Sequence, residues 1–521
     1  MDPISLSIDG ATFFSSPDAR TILEREVLPC HVPGTRWFGG KARNPQRFTV
    51  EALLPFSAAE KPARLLLAQV EYAAGDQELY VLAIQISDPD GPNPPDDQEV
   101  VIAKFRDGHV LRDALEDAGC RADLLRLIRT ELHVAGEGGE LVGVRGSALE
   151  PDSDLEERSR YLKVEQSNSS IAYGDEIFLK LFRKPDRGMN PDVEITRFLT
   201  EHAHYGHVPP FAGLIEYRHA GAESRVLGLA VGMVKNRGDA WAYALDEVAK
   251  FFQRLPGNEV APNLAWVAQN LGDCAARIAQ LAQRTAEVHL ALASESGDPV
   301  FAPEPLTLDD QRAISAGIRA SGREMFALLR QQRGEGLLQE EIDQLIALEP
   351  RLDEMAGAYA ARDIHAFKTR THGDYHLGQV LNTGDDFVII DFEGEPRRAL
   401  SERQAKRSPL RDVAGMLRSF HYAAHSGLER IDLADREEYE VWAELWAEAA
   451  SQIFRETWLQ TAGVVSFVPR EPADVERTLD AFLLEKAIYE VMYELNHRPT
   501  WVGIPVRGCL SILRPEKEPA E

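Results

Sequence analysis

Hydrophobic and polar positions follow different periods in the two halves of the chain. In the first half, the apolar runs Arg64–Tyr72 and Leu79–Ile86 flank a short polar segment and predict an antiparallel hairpin. Tyr161–Lys184 predicts two strands joined by a polar turn, Pro191–His202 predicts a helix, and Val226–Val234 predicts a buried strand. This half of the chain is therefore expected to be rich in β-structure.

From about Trp241 onward, apolar residues recur with the period of an α-helix. The helical segments predicted on this pattern are Leu245–Arg254, Asn263–Ala293, Leu308–Gln332, Glu340–Phe367, Pro409–His425, Glu437–Gln460 and Pro472–Asn496. Only QVLN and DFVIID, joined by TGDD, interrupt them with the character of two short strands and a turn.

The pattern predicts an α+β fold with a β-rich N-terminal part, a mainly helical C-terminal part and a cleft between them. The Pro- and Asp-rich segment Asp88–Glu99 is typical of an exposed linker. We therefore predict an N-terminal subdomain over residues 1–95, a β-rich domain over 96–238 and a helical domain over 239–521.

Composition narrows the classes of partner. A net charge of −27 over 521 residues argues against broad binding to nucleic acid or to anionic membranes. The four cysteines form no CxxC pair, and no apolar stretch approaches the ~20 residues of a membrane helix. The N-terminal MDPISLSIDGATFF lacks the pattern of a signal peptide, so we expect a cytoplasmic protein that binds neither membrane nor nucleic acid.

The segment Thr371–Pro396 combines six carboxylates with a short apolar run. A hairpin made of QVLN and FVIID would bring Asp374 and Gln379, which precede it, close to Asp391 and Glu393, which follow it. Carboxylate and amide oxygens suit Mg²⁺, which would offset the repulsion between these groups. The alternative is a solvated acidic hairpin, which remains the simpler explanation for HGDYH taken alone.

The joint pattern H-G-D-x-H-x-x-Q, apolar strand, D-F-E resembles the catalytic segment of the aminoglycoside-phosphotransferase-like kinases, a branch of the protein-kinase-like fold. The resemblance implies a bilobal fold, with ATP and Mg²⁺ as cofactors. It implies that Asp374 is the base for the substrate hydroxyl and that Gln379 and Asp391 hold Mg²⁺, with Glu393 as a further ligand.

A kinase of this fold needs a lysine on an upstream strand and a glutamate on the next helix. IFLKLF offers Lys180 and DVEITRFL offers Glu194, although Lys180 on an edge strand could simply face solvent. The phosphate-covering turn is predicted at EQSNSS, which contains no GxGxxG; its backbone N–H groups and hydroxyls come from Ser167, Asn168, Ser169 and Ser170.

The connector to the helical part is predicted just after the strand Val226–Val234. Backbone groups of Met233 and Lys235 would pair with adenine there, the alternative being an ordinary strand end.

Several further stretches resemble bacterial maltokinases and the maltokinase part of trehalose synthase–maltokinase fusions over nearly the whole chain, Val27 to Leu510. They are RWFGGKAR, EQSNSS, HGDYHLGQVL, IDFEGEP, KRSPLRDVAGMLRSFHYAA and FLLEKAIYEVMYELNHRPTWVGIPVRG. The resemblance implies an N-terminal cap subdomain ahead of the N-lobe. It also implies ATP-dependent phosphorylation of maltose to α-maltose 1-phosphate and ADP, which feeds glycogen synthesis from trehalose. The resemblance also suggests trehalose synthase, a separate chain, as a partner.

The sugar site is expected on the helix FLLEKAIYEVMYELNHRP. Lys486 and Tyr489 match positions at which the resembled family binds maltose, and Glu494 is a looser candidate. The simpler alternatives are an aromatic stripe in the core and a surface Lys–Glu pair.

Three other features are predicted to be structural. Asp412 stabilises its helix or holds the HGD loop, and His289 is a hydrogen-bonded core histidine. RWFGGKAR packs the cap against the lobe, the alternative being that Lys41 or Arg43 reaches phosphates. The remaining functional alternatives are a glucosamine, choline or aminoglycoside kinase and, with less support, a pseudokinase scaffold, since Asp374, Asp391 and Lys180 are all present.

Overall fold

The computed structural model describes residues 3–56, 63–88, 101–151, 154–162, 167–256, 260–294, 297–331, 338–429 and 436–514. The chain divides into two compact units. The N-terminal unit comprises Met1–Glu201 with Pro209–Lys235, and the C-terminal unit comprises His202–Val208 with Asn236–Glu521. The predicted linker lies, apart from Asp88, outside the described residues, and so do Glu165 and Gln166 of EQSNSS.

The N-terminal unit contains two sheets. The first has the strand order β1-β5-β6-β4-β3-β2 and is antiparallel except for the β1–β5 pair. Its strands are β1 Ile4–Leu6, β2 Pro45–Pro55, β3 Ala63–Tyr72, β4 Gln77–Ser87, β5 Val101–Phe105 and β6 Val110–Asp113. The predicted hairpin is confirmed as β3 and β4.

The second sheet is antiparallel throughout, in the order β7-β8-β12-β13-β11-β10-β9. Its strands are β7 His133–Gly136, β8 Gly139–Arg145, β9 Ser159–Leu162, β10 Asn168–Tyr173, β11 Ile177–Phe182, β12 Phe211–Arg218 and β13 Arg225–Gly232. The helices of this unit are α1 Ala19–Ile22, α2 Leu28–His31, α3 Ala118–Arg129 and α4 Pro191–Arg197.

Burial on both faces explains the unbroken apolar run of β3. Leu65 and Leu67 pack into a core that the first sheet shares with α3 and the second sheet. Leu66 and Val70 pack on the opposite face, against a core that includes the N-terminal segments. A strand covered on both sides reads as a continuous hydrophobic run and not as an alternation.

The first sheet extends past residue 95, at which the sequence predicts a subdomain boundary. β5 and β6 lie beyond that position and pair within the sheet, through β4. The chain divides into its two units after Lys235. The domain boundaries expected at 95 and 238 stay predictions.

The C-terminal unit is mainly helical, as predicted. Its elements are α5 Ala240–Phe252, α6 Leu264–Asn270, α7 Asp273–Leu292, β14 Glu304–Pro305, α8 Leu308–Gln331, α9 Gln339–Ala347, α10 Glu349–Ala360, β15 Phe367–Lys368, β16 Val380–Asn382, β17 Phe387–Ile389, α11 Leu400–Gln404, α12 Leu410–Glu429, α13 Arg436–Ala462, α14 Pro472–His497 and α15 Gly503–Leu513. Two predicted helices are each divided: one at Gly272, which has a φ of 61°, and one before Pro350 at the start of α10. None of the described helices has the length and apolar character needed to cross a membrane.

The helix α14 is buried on several sides and contacts α8, α10, α12 and α15. Its buried positions do not form a single stripe along the whole helix, because Leu484, Ala487, Ile488 and Val491 share one face in its second half, whereas Val475 lies on another face in its first half. This central position fixes the side chains that α14 presents to the loop before β16.

Candidate active site

The predicted hairpin is formed by β16 and β17, which pair antiparallel. Beyond it, the Ile390 N–H donates to the Gln379 carbonyl at 3.0 Å, and Gln379 Nε2 donates to Asp391 Oδ2 at 2.9 Å. Two side chains that lie 12 residues apart in the sequence are thereby placed in contact at the end of the hairpin.

The backbone of Asp391 has a φ of 68°. Non-glycine residues rarely adopt this left-handed conformation, and such strain concentrates at functional positions. Carboxylate oxygens of Asp391 and Glu393 lie within 4.8 Å of one another. Two carboxylates next to the amide of Gln379 form a set of hard oxygen donors that fits Mg²⁺.

The loop that carries Asp374 is joined directly to this hairpin. His372 Nε2 donates to the carbonyl of Ile390 at 2.9 Å, immediately before Asp391. The Asp374 N–H lies 3.4 Å from the other ring nitrogen of His372. The imidazole thus bridges the loop of Asp374 and the strand end of Asp391.

The buried carboxylate of Asp412, on α12, holds the same loop through hydrogen bonds to its backbone. Asp412 accepts the N–H groups of His372 at 2.7 Å and Gly373 at 3.0 Å, and it also lies 3.1 Å from His289 Nε2. Trp458 Nε1 donates to His289 Nδ1 at 3.0 Å, so the ring proton of His289 lies on Nε2 and points at Asp412. The predicted roles of Asp412 as a loop anchor and of His289 as a core histidine are confirmed.

Close packing of α12 against the loop adds a second anchor. A Cβ on Gly415 would lie 2.5 Å from the carbonyl oxygen of Tyr375, so only glycine permits this approach. The Tyr375 hydroxyl is 2.8 Å from Thr285 Oγ1, and Ser419 Oγ accepts the Leu377 N–H at 3.1 Å. The loop is therefore fixed on both sides of Asp374.

Asp374 forms an ion pair with Lys486 of α14, whose Nζ lies 3.0 Å from Oδ1. Burial opposes the charged form of Asp374, but Lys486, together with His376 and His372, outweighs it, and the pKa of that carboxyl is lowered to about 2. Burial also opposes the charged form of Lys486, but Asp374 and Glu395 raise the pKa of the ammonium above its ordinary value. Both groups are charged at neutral pH, and the predicted contact of Lys486 with the sugar stays a prediction.

A cavity surrounds this pair in the C-terminal unit. Its lining consists of Gly373, Asp374, Tyr375, Glu395, Arg398, Arg411, Asp412, Gly415, Phe482, Glu485, Lys486 and Tyr489. Tyr489 was predicted as a sugar ligand, and the cavity includes it.

Two arginines that the sequence reasoning did not single out order the wall of the cavity. Arg411 donates to Glu395 at 3.0 Å, to Glu485 at 3.1 Å and to the Gly373 carbonyl at 3.1 Å. Arg398 contacts the same two glutamates. Burial disfavours the charged form of Glu485, but Arg411 and Arg398 hold its pKa below the ordinary value. Each carboxylate of this wall therefore faces a cation.

An aromatic row leads from the cavity along α14. Tyr489 and Tyr493 have ring centroids 6.2 Å apart, and Tyr493 stacks on His497 at 4.6 Å. Glu494, predicted as a further sugar ligand, is instead buried and bonded to Arg498 at 3.0 and 2.7 Å. It does not belong to the cavity lining, because the helix turns its side chain toward Arg498.

In the N-terminal unit, the predicted lysine lies in the hairpin of β10 and β11. Lys180 is opposite Ser170, and its Nζ lies 3.5 Å from the carboxylate of Asp192 in α4. The side chains of Lys180 and Asp192 are only 12% and 6% exposed, which excludes the solvent-facing alternative. The ion pair of Lys180 is thus formed with Asp192, two positions before Glu194. The pairing of Glu194 itself with Lys180 stays a prediction.

The predicted phosphate turn requires a correction. Asn168, Ser169 and Ser170 lie within β10 and not in a turn, and only Ser167 of the four precedes the strand. Ser169 Oγ accepts a hydrogen bond from Arg183 Nε at 2.8 Å, and Ser170 is fully buried. Hydroxyls that form the sheet interior are poorly placed to meet phosphate, so the predicted phosphate contact is best retained for Ser167.

Arg183 ties this hairpin to the first sheet and was missed in the sequence. Its backbone carbonyl accepts the Val81 N–H at 2.8 Å, and its guanidinium donates to the Val81 carbonyl at 3.2 Å. The guanidinium also lies 5.2 Å from the Trp37 ring centroid. A buried arginine normally requires such partners, yet nothing local in LFRK reveals them.

Arg43, at the end of RWFGGKAR, also packs within this unit. Arg43 binds Glu78 at 2.5 Å and Asp76 at 3.0 Å, and its guanidinium lies over the ring of Tyr72 at 4.0 Å. Glu78 additionally accepts the hydroxyls of Tyr72 and Tyr80. These contacts leave Arg43 engaged inside the cap.

The two predicted adenine contacts lie just after β13. The Met233 N–H already donates to the Glu176 carbonyl at 2.7 Å, so this donor is occupied by the fold. Lys235 is exposed. Its nucleotide contact stays a prediction, and any contribution of Met233 would come through its carbonyl.

Comparisons with known proteins bear on the N-terminal cap and on the fold. Residues 31–117 match the family described as the maltokinase N-terminal cap domain. The glucosamine kinase of Streptacidiphilus jiangxiensis is 26% identical over 363 residues, which cover 69% of this chain and 74% of the relative.

Two solved structures are similar at 20% sequence identity. One is a glucosamine kinase in complex with glucosamine, ADP and inorganic phosphate, with a TM-score of 0.62 over 90% of this chain and 95% of that one. The other is a glucosamine kinase in a second crystal form, with a TM-score of 0.64 over 94% and 99% of the two chains. The bilobal protein-kinase-like fold, with its cap, sheet-rich N-lobe and helical C-lobe, is thereby confirmed.

Proposed function

We propose that this chain, which joins the cap domain of maltokinases to the fold of glucosamine kinases, is a sugar kinase that phosphorylates maltose at its anomeric hydroxyl. ATP is the proposed phosphoryl donor, and α-maltose 1-phosphate and ADP are the proposed products. The observation that carries the proposal is the His372 bridge, which joins the loop of Asp374 to the strand end that presents Asp391.

The chemistry asks little of the protein beyond positioning and charge neutralisation. Asp374, ionised at neutral pH, would accept the proton of the sugar hydroxyl as it attacks the γ-phosphorus. Asp391, Glu393 and Gln379 would hold Mg²⁺, which when bound neutralises charge on the ATP phosphates. Lys180, already charge-paired inside the N-lobe, would contact those phosphates.

The charge balance of the cavity supports a neutral acceptor. Asp374 faces Lys486, and the wall glutamates face Arg398 and Arg411. An amino sugar would need a carboxylate that is not already neutralised by a cation, whereas a neutral sugar needs donors and acceptors of both kinds.

The aromatic row supports an acceptor longer than one ring. Sugar rings stack on flat aromatic faces, and the row continues past the cavity from Tyr489 to Tyr493 and His497. A disaccharide bound with its reducing end at Asp374 would place its second ring along this row.

Glucosamine is the second candidate acceptor, because the similar proteins described above are glucosamine kinases. A coupled assay of ADP release over maltose, glucose, glucosamine and an aminoglycoside separates the candidates. We expect the highest kcat/KM with maltose and a product phosphorylated at the anomeric carbon. A clear preference for glucosamine would replace the maltose assignment.

The variant Asp374→Asn tests the catalytic assignment in the same assay. We expect turnover to fall by at least about 100-fold, since general-base catalysis contributes roughly that much or more. ATP binding, measured calorimetrically, should persist. Turnover near the wild-type rate would remove Asp374 as the base.

The cellular setting is part of the same proposal. A maltose kinase in the cytoplasm would act beside trehalose synthase and supply maltose 1-phosphate for glycogen synthesis. Association with trehalose synthase is testable by co-purification of the two chains, and their separate elution would limit the link to a shared metabolite.

A further inference from the structure

A cluster of two histidines and one glutamate connects α12 and α13, separate from the residues assigned above. His421 and His425 are one helical turn apart on α12, and their Nε2 atoms lie 3.2 and 2.9 Å from Glu444 Oε1 on α13. The two imidazole ring centroids are 4.5 Å apart. One ligand atom from each residue lies within 4.8 Å of the other two.

The spacing of these atoms is close to that of a coordination shell. Zinc–ligand bonds of ~2.0–2.1 Å in a tetrahedron place neighbouring ligand atoms about 3.3 Å apart. Histidines at i and i+4 share one helix face and form a common zinc-binding pair. The observed separations therefore require only small side-chain movements to enclose an ion.

The chemistry of the three side chains also suits a cation. The cluster offers two imidazole nitrogens and one carboxylate oxygen, all directed at one point between the two helices. Imidazole and carboxylate groups are common ligands of divalent transition metals.

We propose that His421, His425 and Glu444 form a binding site for a divalent transition metal, with Zn²⁺ as the best match. Imidazole with a single carboxylate suits Zn²⁺, whereas Mg²⁺ prefers oxygen ligands alone. The histidines are 6% and 3% exposed, but the Glu444 side chain is 39% exposed. This opening gives the ion an entry path and leaves a fourth position for water.

The site would act as a structural clamp on the catalytic scaffold. α12 also carries Asp412, Gly415 and Ser419, which fix the loop of Asp374. α13 carries Trp458, which donates to His289 and so orients the His289 ring against Asp412. A metal bridge between these helices would stabilise the folded state, and the gain would grow with the logarithm of the metal concentration above the Kd.

The test uses the full-length chain, stripped of metal and titrated with Zn²⁺ by calorimetry in excess Mg²⁺. Titration with Co²⁺ reports its visible absorption as an independent readout. We expect one equivalent to bind and to raise the Tm. Replacement of outer-sphere partners costs metal sites ~10–100-fold in affinity, so removal of a ligand in His421→Gln or His425→Gln should cost at least about 100-fold.

Two matched variants make the result specific. His365→Gln removes an exposed histidine of the same unit and should leave Zn²⁺ affinity unchanged. Glu444→Gln changes the partly exposed ligand and therefore tests the metal site even if the histidine variants do not fold. We expect this variant to bind Zn²⁺ at least about tenfold more weakly. The proposal is overturned if the folded wild type binds no stoichiometric Zn²⁺ or Co²⁺. It is equally overturned if all three ligand variants retain wild-type affinity, which would leave a purely hydrogen-bonded triad.

Discussion

The ion pair between Asp374 and Lys486 gives the sharpest quantitative prediction. Substitution of Lys486 by methionine keeps most of the side-chain length but removes the charge 3.0 Å from the Asp374 carboxylate. The pKa of Asp374 lies at about 2 in place of 3.8, although burial acts to raise it. Loss of the ammonium leaves burial as the dominant influence, so the pKa of Asp374 should rise above 3.8.

The size of the effect follows from that shift. A fall from 3.8 to about 2 corresponds to roughly 2.4 kcal/mol at 1.36 kcal/mol per pKa unit, an order-of-magnitude value for a buried pair. Because the folded pKa is depressed, this contribution to stability is present above about pH 4 and is lost as the pH falls toward 2. In Lys486→Met it should be absent at neutral pH as well.

The assay is the pH dependence of kcat/KM with saturating Mg·ATP. If Asp374 must be ionised, the acid limb of the wild-type profile reflects a pKa of about 2 and lies below the range of normal assays. In Lys486→Met the apparent pKa of the acid limb of kcat/KM should rise by at least ~2 pH units, into the range in which kcat/KM can be measured.

Two controls accompany this measurement. Lys486→Arg keeps the charge and should move the limb much less, and Lys368→Met removes a lysine paired with Asp310 at 2.9 Å elsewhere in the C-terminal unit. A limb that stays in place in folded Lys486→Met, with folding verified by circular dichroism at each pH, would refute the assigned electrostatic role.

Three further predictions concern the scaffold. Asp412→Asn presents an amide N–H₂ toward donor groups and should destabilise the protein by about 3–5 kcal/mol in urea unfolding and lower kcat, since it leaves buried donors unpaired; unchanged stability would contradict the anchoring role. Gly415→Ala places a methyl 2.5 Å from the Tyr375 carbonyl and should cost about 1–3 kcal/mol, whereas Gly317→Ala on the open face of α8 should gain about 0.5–1 kcal/mol; equal effects would show that the close approach does not matter. Arg183→Met should lower the Tm and raise the KM for ATP while the KM for sugar stays constant, because it frees the hairpin of Lys180 from the first sheet; a constant KM for ATP would limit Arg183 to a stabilising role.

Some features of the site were predictable because their signals are local. Gln379 and Asp391 lie at the two ends of one hairpin, so their contact required only that the hairpin form, and HGD lies a few residues before it. The structure confirms it through the 2.9 Å bond between Gln379 and Asp391. The loop anchor Asp412 was likewise predictable, because its spacing after the hairpin resembles that of a known family.

Other features required the folded chain because nearby alternatives look equal in sequence. Asp192 and Glu194 both lie in the first turn of α4, and only the structure shows that Asp192 reaches Lys180 at 3.5 Å, while the pairing of Glu194 with Lys180 stays a prediction. Glu494 has the spacing of a ligand on α14, but packing turns it toward Arg498. Asn168–Ser170 look like a polar turn, yet they pair as a strand.

The α+β class, the division between sheet and helix and the chemistry of the hairpin could be inferred from the residue pattern, because hydrophobic period and short-range spacing act over a few residues. Three contacts appear only in the folded chain: Lys486 neutralises Asp374 across 112 positions, Arg411 and Arg398 balance the charge of the cavity, and two helices bring His421, His425 and Glu444 together. Such contacts depend on how helices pack after they form, and packing is a property of the whole folded chain that no local pattern encodes.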